Sequence, residues 1–261
     1  MSRRARLGQH FLHDPEFIER SVAAISPRPG DAIVEIGPGR GALTLPLLDR
    51  TGSLDVIEVD RDLARRLPPR TGLRVHVGDA LSWPLESLAR SGNRIRVAGN
   101  LPYYLSTPLL FRLFEQAGCI EDMHFMLQRE VVERMTAEPG TASYGRLGLM
   151  VRCHAEAHAL FEVPPEAFRP PPRVWSAFVR LRPLRPGPVS DVDGFRRVVT
   201  RAFTHRRKRV GNALRGVIDE ETIRACGIDP GRRPGTLSFE EFAELARAAV
   251  EAEAGAGARA R

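Results

Sequence analysis

"DAIVEIGPGRGALT", Asp31 to Thr44, is the stretch on which the fold turns. A short β-branched apolar run, 31–37, breaks into glycines at Gly37, Gly39 and Gly41, and an apolar stretch compatible with a helix or loop follows at 41–50. Glycines at such a point let the backbone turn sharply and approach a ligand closely. Three more apolar runs follow: "SLDVIEVD" (53–60), "LRVHVGDA" (73–80) and "RIRVAGN" (94–100), each ending in Gly, Asp or Asn. Segments such as "RDLARRL" (61–67) separate them, and "DMHFMLQREVVERMTA" (122–137) reads as a strand running into a helix. Strands alternating with helices predict βαβ units and a parallel sheet, hence an α/β fold of Rossmann-like type.

Further along, "RPLRPGPVSD" (182–191) has the Pro and Gly content of a linker, and the stretches after it read as helices. The expected organisation is an α/β domain over 1–183 and a small all-α domain over 184–261, its tail "GAGARAR" frayed. The 261 residues suffice for one large and one small domain, and 43% hydrophobic content suits a packed core. Net charge is +7, and all the positive side chains but Lys208 are arginines; the balance points to a polyanionic partner. Cys119, Cys153 and Cys226 match neither a disulfide framework nor a zinc site, which predicts a reducing, cytoplasmic compartment and no metal. The start, "MSRRARLGQHFLHDPEF", lacks the apolar core of a signal peptide, and no apolar run reaches membrane-span length. His154 and His158, four apart beside Cys153, read as structural.

The glycine loop alone admits two cofactors. Gly37, Gly39 and Ala42 fit the G-x-G-x-x-A pattern of dinucleotide sites, with an acid following at Glu58. Glu35 argues otherwise: a carboxylate two residues before the first glycine repels a pyrophosphate but suits the sulfonium and ammonium of S-adenosylmethionine. Glu58 ends the second strand, where a carboxylate can accept from both ribose hydroxyls, and Asp79 ends the third, where it can accept from an adenine amino group. Three acids at three successive strand ends face the edge where open α/β sheets bind ligands.

The fourth strand ends in "GNLPYYLSTP" (99–108). Pro102 holds Leu101 extended and brings no N–H, so the Leu101 carbonyl can point into the site. With the Asn100 side-chain oxygen it makes two acceptors beside the flat ring of Tyr103. That set suits a planar base with an exocyclic amine. Two acceptors on the amine hydrogens favour a pyramidal nitrogen whose lone pair can aim at a methyl group, and positioning then supplies much of the catalysis.

"GQHFL", "VEIGPGRGALT", "VIEVD", "GDA", "GNLPYYLSTPLLF", "MLQREVVERM", "YGRLGLM" and "VPPEAFRPPPRVWSAFVRL" occur here in the order they have in the ribosomal RNA adenine dimethyltransferases. From Gly8 to Leu181 the chain resembles that family, in particular its small-subunit (16S) branch, and more weakly through "FTHRRKRVGNAL". The resemblance implies a segment folding over S-adenosylmethionine at Gln9, His10 and Leu12, with His10 where many members carry Asn. It implies cofactor contacts at Gly37, Glu58, Asp79 and Asn100, and an aromatic, Phe168, on the other face of a flipped adenine. Stacking is worth about 1–3 kcal/mol per face, which offsets extracting the base from its stack. The implied reaction is N6,N6-dimethylation of two adjacent adenosines in the 3′-terminal hairpin loop of 16S rRNA, by an enzyme acting as a monomer in ribosome biogenesis.

Residues 195–215 hold eight basic side chains and no acid, with Arg206, Arg207, Lys208 and Arg209 consecutive. Such a run predicts RNA phosphate contact, which positions without reading sequence. "MSRRAR" would add a basic arm. Three other functions remain in competition: methylation of 23S rRNA, whose enzymes usually carry Ile where this chain has Leu101; a ribosome-assembly factor; and an NAD-linked oxidoreductase, for which no Tyr-Lys pair or hydride-site His is evident.

Overall fold

The computed structural model describes residues 9–89 and 93–259; the basic stretch at 1–6 lies outside them. In chain order the first elements are β1 (Phe11–Leu12), α1 (Pro15–Ile25), β2 (Ile33–Ile36), α2 (Thr44–Thr51), β3 (Leu54–Glu58), α3 (Arg61–Arg66) and β4 (Leu73–Val77). Then come β5 (Ile95–Asn100), α4 (Ser106–Glu115), β6 (Ile120–Gln128), α5 (Arg129–Thr136) and α6 (Arg146–Arg152). Next are β7 (Ala155–Val163), β8 (Phe168–Arg169), β9 (Ser176–Pro183), α7 (Val192–Thr204), α8 (Val210–Ala213), α9 (Glu220–Ala225) and α10 (Phe239–Arg259). No helix among the described residues is long and apolar enough to cross a membrane.

Two compact units form: Met1–Val132 with Ala157–Arg185, and Glu133–Glu156 with Pro186–Arg261. The expected single boundary after residue 183 therefore differs from the observed division, because 133–156 goes with the helices.

The sheet has seven strands in the order β4-β3-β2-β5-β6-β9-β7. Neighbours from β4 to β6 are parallel, and β9 lies antiparallel to β6. All four residues of β2 and all five of β3 are buried, as expected of strands covered on both faces. Sequence alternation did not single out β7, β8 or β9. Helix α1 starts where Asp14 accepts the Glu16 N–H at 2.9 Å and Pro15 fills the first helical position. Its apolar face and that of α2 pack on the sheet through Val22, Ile25, Leu47 and Leu48. Arg96, near the start of β5, pins the layers. Its guanidinium donates twice to Asp122 (2.9 and 2.8 Å), to Asp31 at 2.8 Å, and to the Ile25 carbonyl at the end of α1 at 2.6 Å.

In the second unit α7 buries Phe195, Val198, Val199 and Ala202, one helical face. The Phe195 and Phe239 ring centroids lie 5.3 Å apart and those of Phe203 and Phe242 5.8 Å apart. The Tyr144 hydroxyl donates to the Leu237 carbonyl at 2.7 Å, tying 133–156 to these helices. Two details differ from expectation. The run 206–209 lies between α7 and α8, not inside a helix, and there the Lys208 N–H closes on the His205 carbonyl at 2.8 Å. Four adjacent like charges on one turn of helix would repel. Helix α10 also continues to Arg259, through most of the tail expected to fray.

Candidate active site

Adjacent parallel strands end together. Glu35 pairs in register with Val56 and Ala98, so the ends of β2, β3 and β5 bring Glu35, Glu58 and Asn100 to one edge of the sheet, with Asp79 just past β4. The cleft at that edge is lined by these four and by Gln9, His10, Leu12, Gly37, Gly39, Leu101, Pro102 and Tyr103. It encloses about 1070 Å³ of empty space, open solvent at its mouth included.

The glycine turn forms its floor. Gly37 (φ 69°) and Gly39 (φ 56°) are left-handed, a conformation glycine adopts freely. A Cβ on Gly39 would stand 3.0 Å from the Phe11 ring, so the turn and the N-terminal segment fit only without a side chain there. Gly99 is equally constrained: its Cβ would come within 2.4 Å of the Ile36 carbonyl oxygen. The strand carrying Asn100 thus passes hard against the strand feeding the turn.

Glu58 is buried and holds the turn with both oxygens. One accepts the Gly39 N–H at 3.2 Å, the other the Asp60 N–H at 2.9 Å. Burial pushes its carboxyl above the ordinary range, against the pull of those two N–H groups. Glu35 lies deeper, 1% exposed, and takes a 2.6 Å hydrogen bond from the Thr44 hydroxyl at the start of α2. Burial, opposed by that bond and reinforced by the charge of Glu58, pushes its pKa up to about 7. A buried carboxyl so poised is stabilised by a cation. Asp79 is exposed and also caps a turn, accepting the Leu81 N–H at 2.9 Å. The cradle, the two buried acids and the exposed one fit a sulfonium amino acid carrying a nucleoside.

At the end of β5 the Asn100 amide donates to the His10 carbonyl at 2.8 Å. The reverse rotamer would set two oxygens face to face, so the Asn100 Oδ1 is the atom turned away from that carbonyl. Leu101 is 2% exposed and lines the cleft beside Asn100. Pro102 is extended (φ −57°, ψ 131°). The Tyr103 hydroxyl sits 2.8 Å from the Oγ of Ser176, a fully buried serine. Burial, opposed by that bond, raises the phenol pKa and keeps it protonated.

His10 lines the cleft and is tied to its neighbours. Its ring stacks on Tyr103 and its Nδ1 meets the Pro170 carbonyl at 2.8 Å. Leu12 is held by pairing with Phe168 in the β1–β8 ribbon. Phe168 itself does not line the cleft as expected. It is 2% exposed and packs in the core with Leu12, Met126 and Phe178. Its strand fastens the N-terminal segment instead. Sequence reasoning missed Ser176, whose type carries no signal, and Phe11, which lies under the Arg40 guanidinium at 4.7 Å.

In the helical unit the four consecutive basic residues divide. Arg206 donates to the Thr141 and Ala142 carbonyls at 3.1 and 2.8 Å and sits over the Phe203 ring, a structural role. Arg207, Lys208 and Arg209 line a depression completed by Arg201, Arg215 and Arg233, with no acid in its wall among the described residues.

Parallel sheet, glycine turn and acid-lined cleft together define a Rossmann-like, S-adenosylmethionine-dependent methyltransferase with a helical C-terminal region. The chain belongs to the ribosomal RNA adenine dimethylase family, whose signature matches residues 1–250. It is 50% identical over 256 residues to the ribosomal RNA small subunit methyltransferase A of Nitrosococcus oceani, covering 96% of this chain and 97% of that one. The protein of the same name from Pseudomonas aeruginosa is 49% identical over 254 residues, covering 95% of each. Among solved structures, a dimethyladenosine transferase from Plasmodium falciparum shares the fold with a TM-score of 0.75 at 23% identity, over 90% of this chain and 96% of that one.

Proposed function

We propose that this protein places two methyl groups on N6 of each of two adjacent adenosines in the 3′-terminal hairpin loop of 16S rRNA, using S-adenosylmethionine. The observation that carries the reading is the convergence of Glu35, Glu58, Asp79 and the Asn100–Tyr103 segment on one cleft. The relatives named for small-subunit methylation support 16S over 23S rRNA.

Gly37 and Gly39 would receive the amino-acid end of the cofactor, Glu35 its cationic groups, Glu58 the ribose hydroxyls and Asp79 the adenine amine. S-adenosylmethionine supplies a methyl group on a sulfonium that leaves as a neutral thioether. Asn100 Oδ1 and the Leu101 carbonyl accept the two hydrogens of the target amine and turn its lone pair out of the ring plane. Tyr103 gives the base a face to stack on. No strong base is needed, because alkylation makes the nitrogen acidic. Phe168 contributes by holding the strand paired with Leu12. Arg207, Lys208 and Arg209 take RNA phosphates. The enzyme works as a monomer in the cytoplasm, in ribosome biogenesis.

The test is radiolabelled S-adenosylmethionine with small subunits lacking this methylation, and separately with 23S rRNA. Label in dimethyladenosine of 16S rRNA is the expected result. Label in 23S rRNA alone would move the protein to the other branch, and cofactor binding without label in either would leave the cofactor right and the substrate wrong.

A further inference from the structure

We propose that His10 is a positioning residue for methyl transfer, setting Tyr103 and Asn100 in place before the base arrives. The inference rests on the function proposed above.

His10 is anchored on three sides. Its carbonyl takes the Asn100 amide at 2.8 Å, which aims the Asn100 oxygen. Its Nδ1 lies 2.8 Å from the Pro170 carbonyl, and since a carbonyl can only accept, Nδ1 carries the proton. Its ring lies 5.6 Å from the Tyr103 centroid at an interplanar angle of 29°, a stacked arrangement. The next two residues, Phe11 and Leu12, are paired into β8, so His10 does not drift from this place.

Tyr103 is therefore held twice, by the His10 ring and, at its hydroxyl, by Ser176 Oγ at 2.8 Å. A ring fixed in advance does not have to be ordered when the base enters, and that ordering would otherwise subtract from the reaction rate. The alternative is that the His10 ring merely fills the place of the base and is pushed aside. The anchors of the ring argue against it, because displacement would break the Pro170 bond and the stack on Tyr103 together.

Two readouts test this. In methyl transfer to unmethylated small subunits, His10→Ala should lower kcat about three- to tenfold. KM for the subunits should stay unchanged, and Kd for S-adenosylmethionine should change by a smaller factor than kcat. His10→Phe, which keeps a ring against Tyr103, should recover most of the rate. A lower KM with kcat intact would make the ring a placeholder, and a weaker cofactor Kd with kcat intact would make it a cofactor contact. Either overturns the proposal. The second readout needs no substrate. The chain has three tyrosines, so the ¹⁹F resonance of fluorotyrosine at position 103 is assigned by its loss in Tyr103→Phe. That resonance should shift in His10→Ala. If it stays in place, His10 does not position Tyr103, whatever the enzyme methylates. If the wild type labels neither rRNA, the proposed function fails and the resonance alone decides the role of His10.

Discussion

The amide of Asn100 and the main-chain carbonyl of His10 meet at 2.8 Å across 90 residues of sequence. The bond turns Asn100 Oδ1 away from that carbonyl, as an acceptor at the end of β5. Asn100→Ala removes that acceptor, and the rate of methyl transfer should fall roughly 10²–10³-fold, the scale of losing one preorganised polar group in an active site. A single-turnover assay at saturating cofactor reads this. A variant with near-normal rate would move the amine-holding role away from Asn100.

Glu35 makes cofactor binding depend on pH. Its pKa of about 7 in the free protein falls when a cation binds beside it, so binding releases a proton near neutrality. Affinity for S-adenosylmethionine should rise as pH goes from 6 to 8, by at most about tenfold per unit. Calorimetry in buffers of different ionisation enthalpy counts the proton; none released between pH 6 and 8 sinks the assignment.

The same carboxyl weakens the unliganded fold. A pKa raised from 4.5 to about 7 gives stability that is full below 4.5 and lost as pH rises through 7. Glu35→Gln, which keeps an acceptor for Thr44, should stabilise the free protein at pH 8 by up to about 3 kcal/mol while weakening cofactor binding. Urea unfolding with and without cofactor shows both effects.

His124 acts in the opposite sense. It is 1% exposed in the middle of β6, and neither ring nitrogen has a hydrogen bond among the described residues. Burial lowers its pKa to about 4; Asp122 pulls it up, Arg96 and Arg180 push it down. The unfolded chain binds the proton between pH 6.5 and 4, so this histidine withdraws about 3 kcal/mol of stability as pH falls through that window. His124→Phe should flatten that acid limb. Comparing the two proteins separates the effect from that of Glu35; parallel stability curves from pH 7.5 to 4 would refute it.

Arg206 and Arg207 should behave differently although adjacent. Arg206→Ala removes two hydrogen bonds and a ring contact and should cost about 1–3 kcal/mol of stability. Arg207→Ala should leave stability alone and reduce the salt slope of RNA binding by about one. Thermal unfolding and a salt titration of RNA affinity distinguish them.

The gathering of Glu35, Glu58, Asp79 and Asn100 in one cleft was readable because all four sit at or near strand ends. Glu35 lies one residue before the end of β2, Glu58 and Asn100 close β3 and β5, and Asp79 follows β4; parallel pairing alone brings them together. What escaped depends on contacts between distant segments. Nothing in "PPPRVWSAF" marks Ser176 as the partner of Tyr103. Phe168 looks the same in sequence whether it faces a base or a core, and packing decided for the core. Arg206 is chemically identical to Arg207 until the carbonyls of 141 and 142 engage it.

The split of the chain into 1–132 with 157–185 and 133–156 with 186–261 bears on how such a protein can be rearranged in evolution. The helical unit is no detachable cassette. A gene truncated after Pro183 would still encode Glu133–Glu156, but without Leu237, the acceptor of the Tyr144 hydroxyl. Tyr144, Leu149 and Val151, all now within 1% of full burial, would lose the setting that covers them. Recombination that exchanged the helical unit between relatives would have to carry two separate stretches of sequence at once, so the two units are expected to be inherited as one.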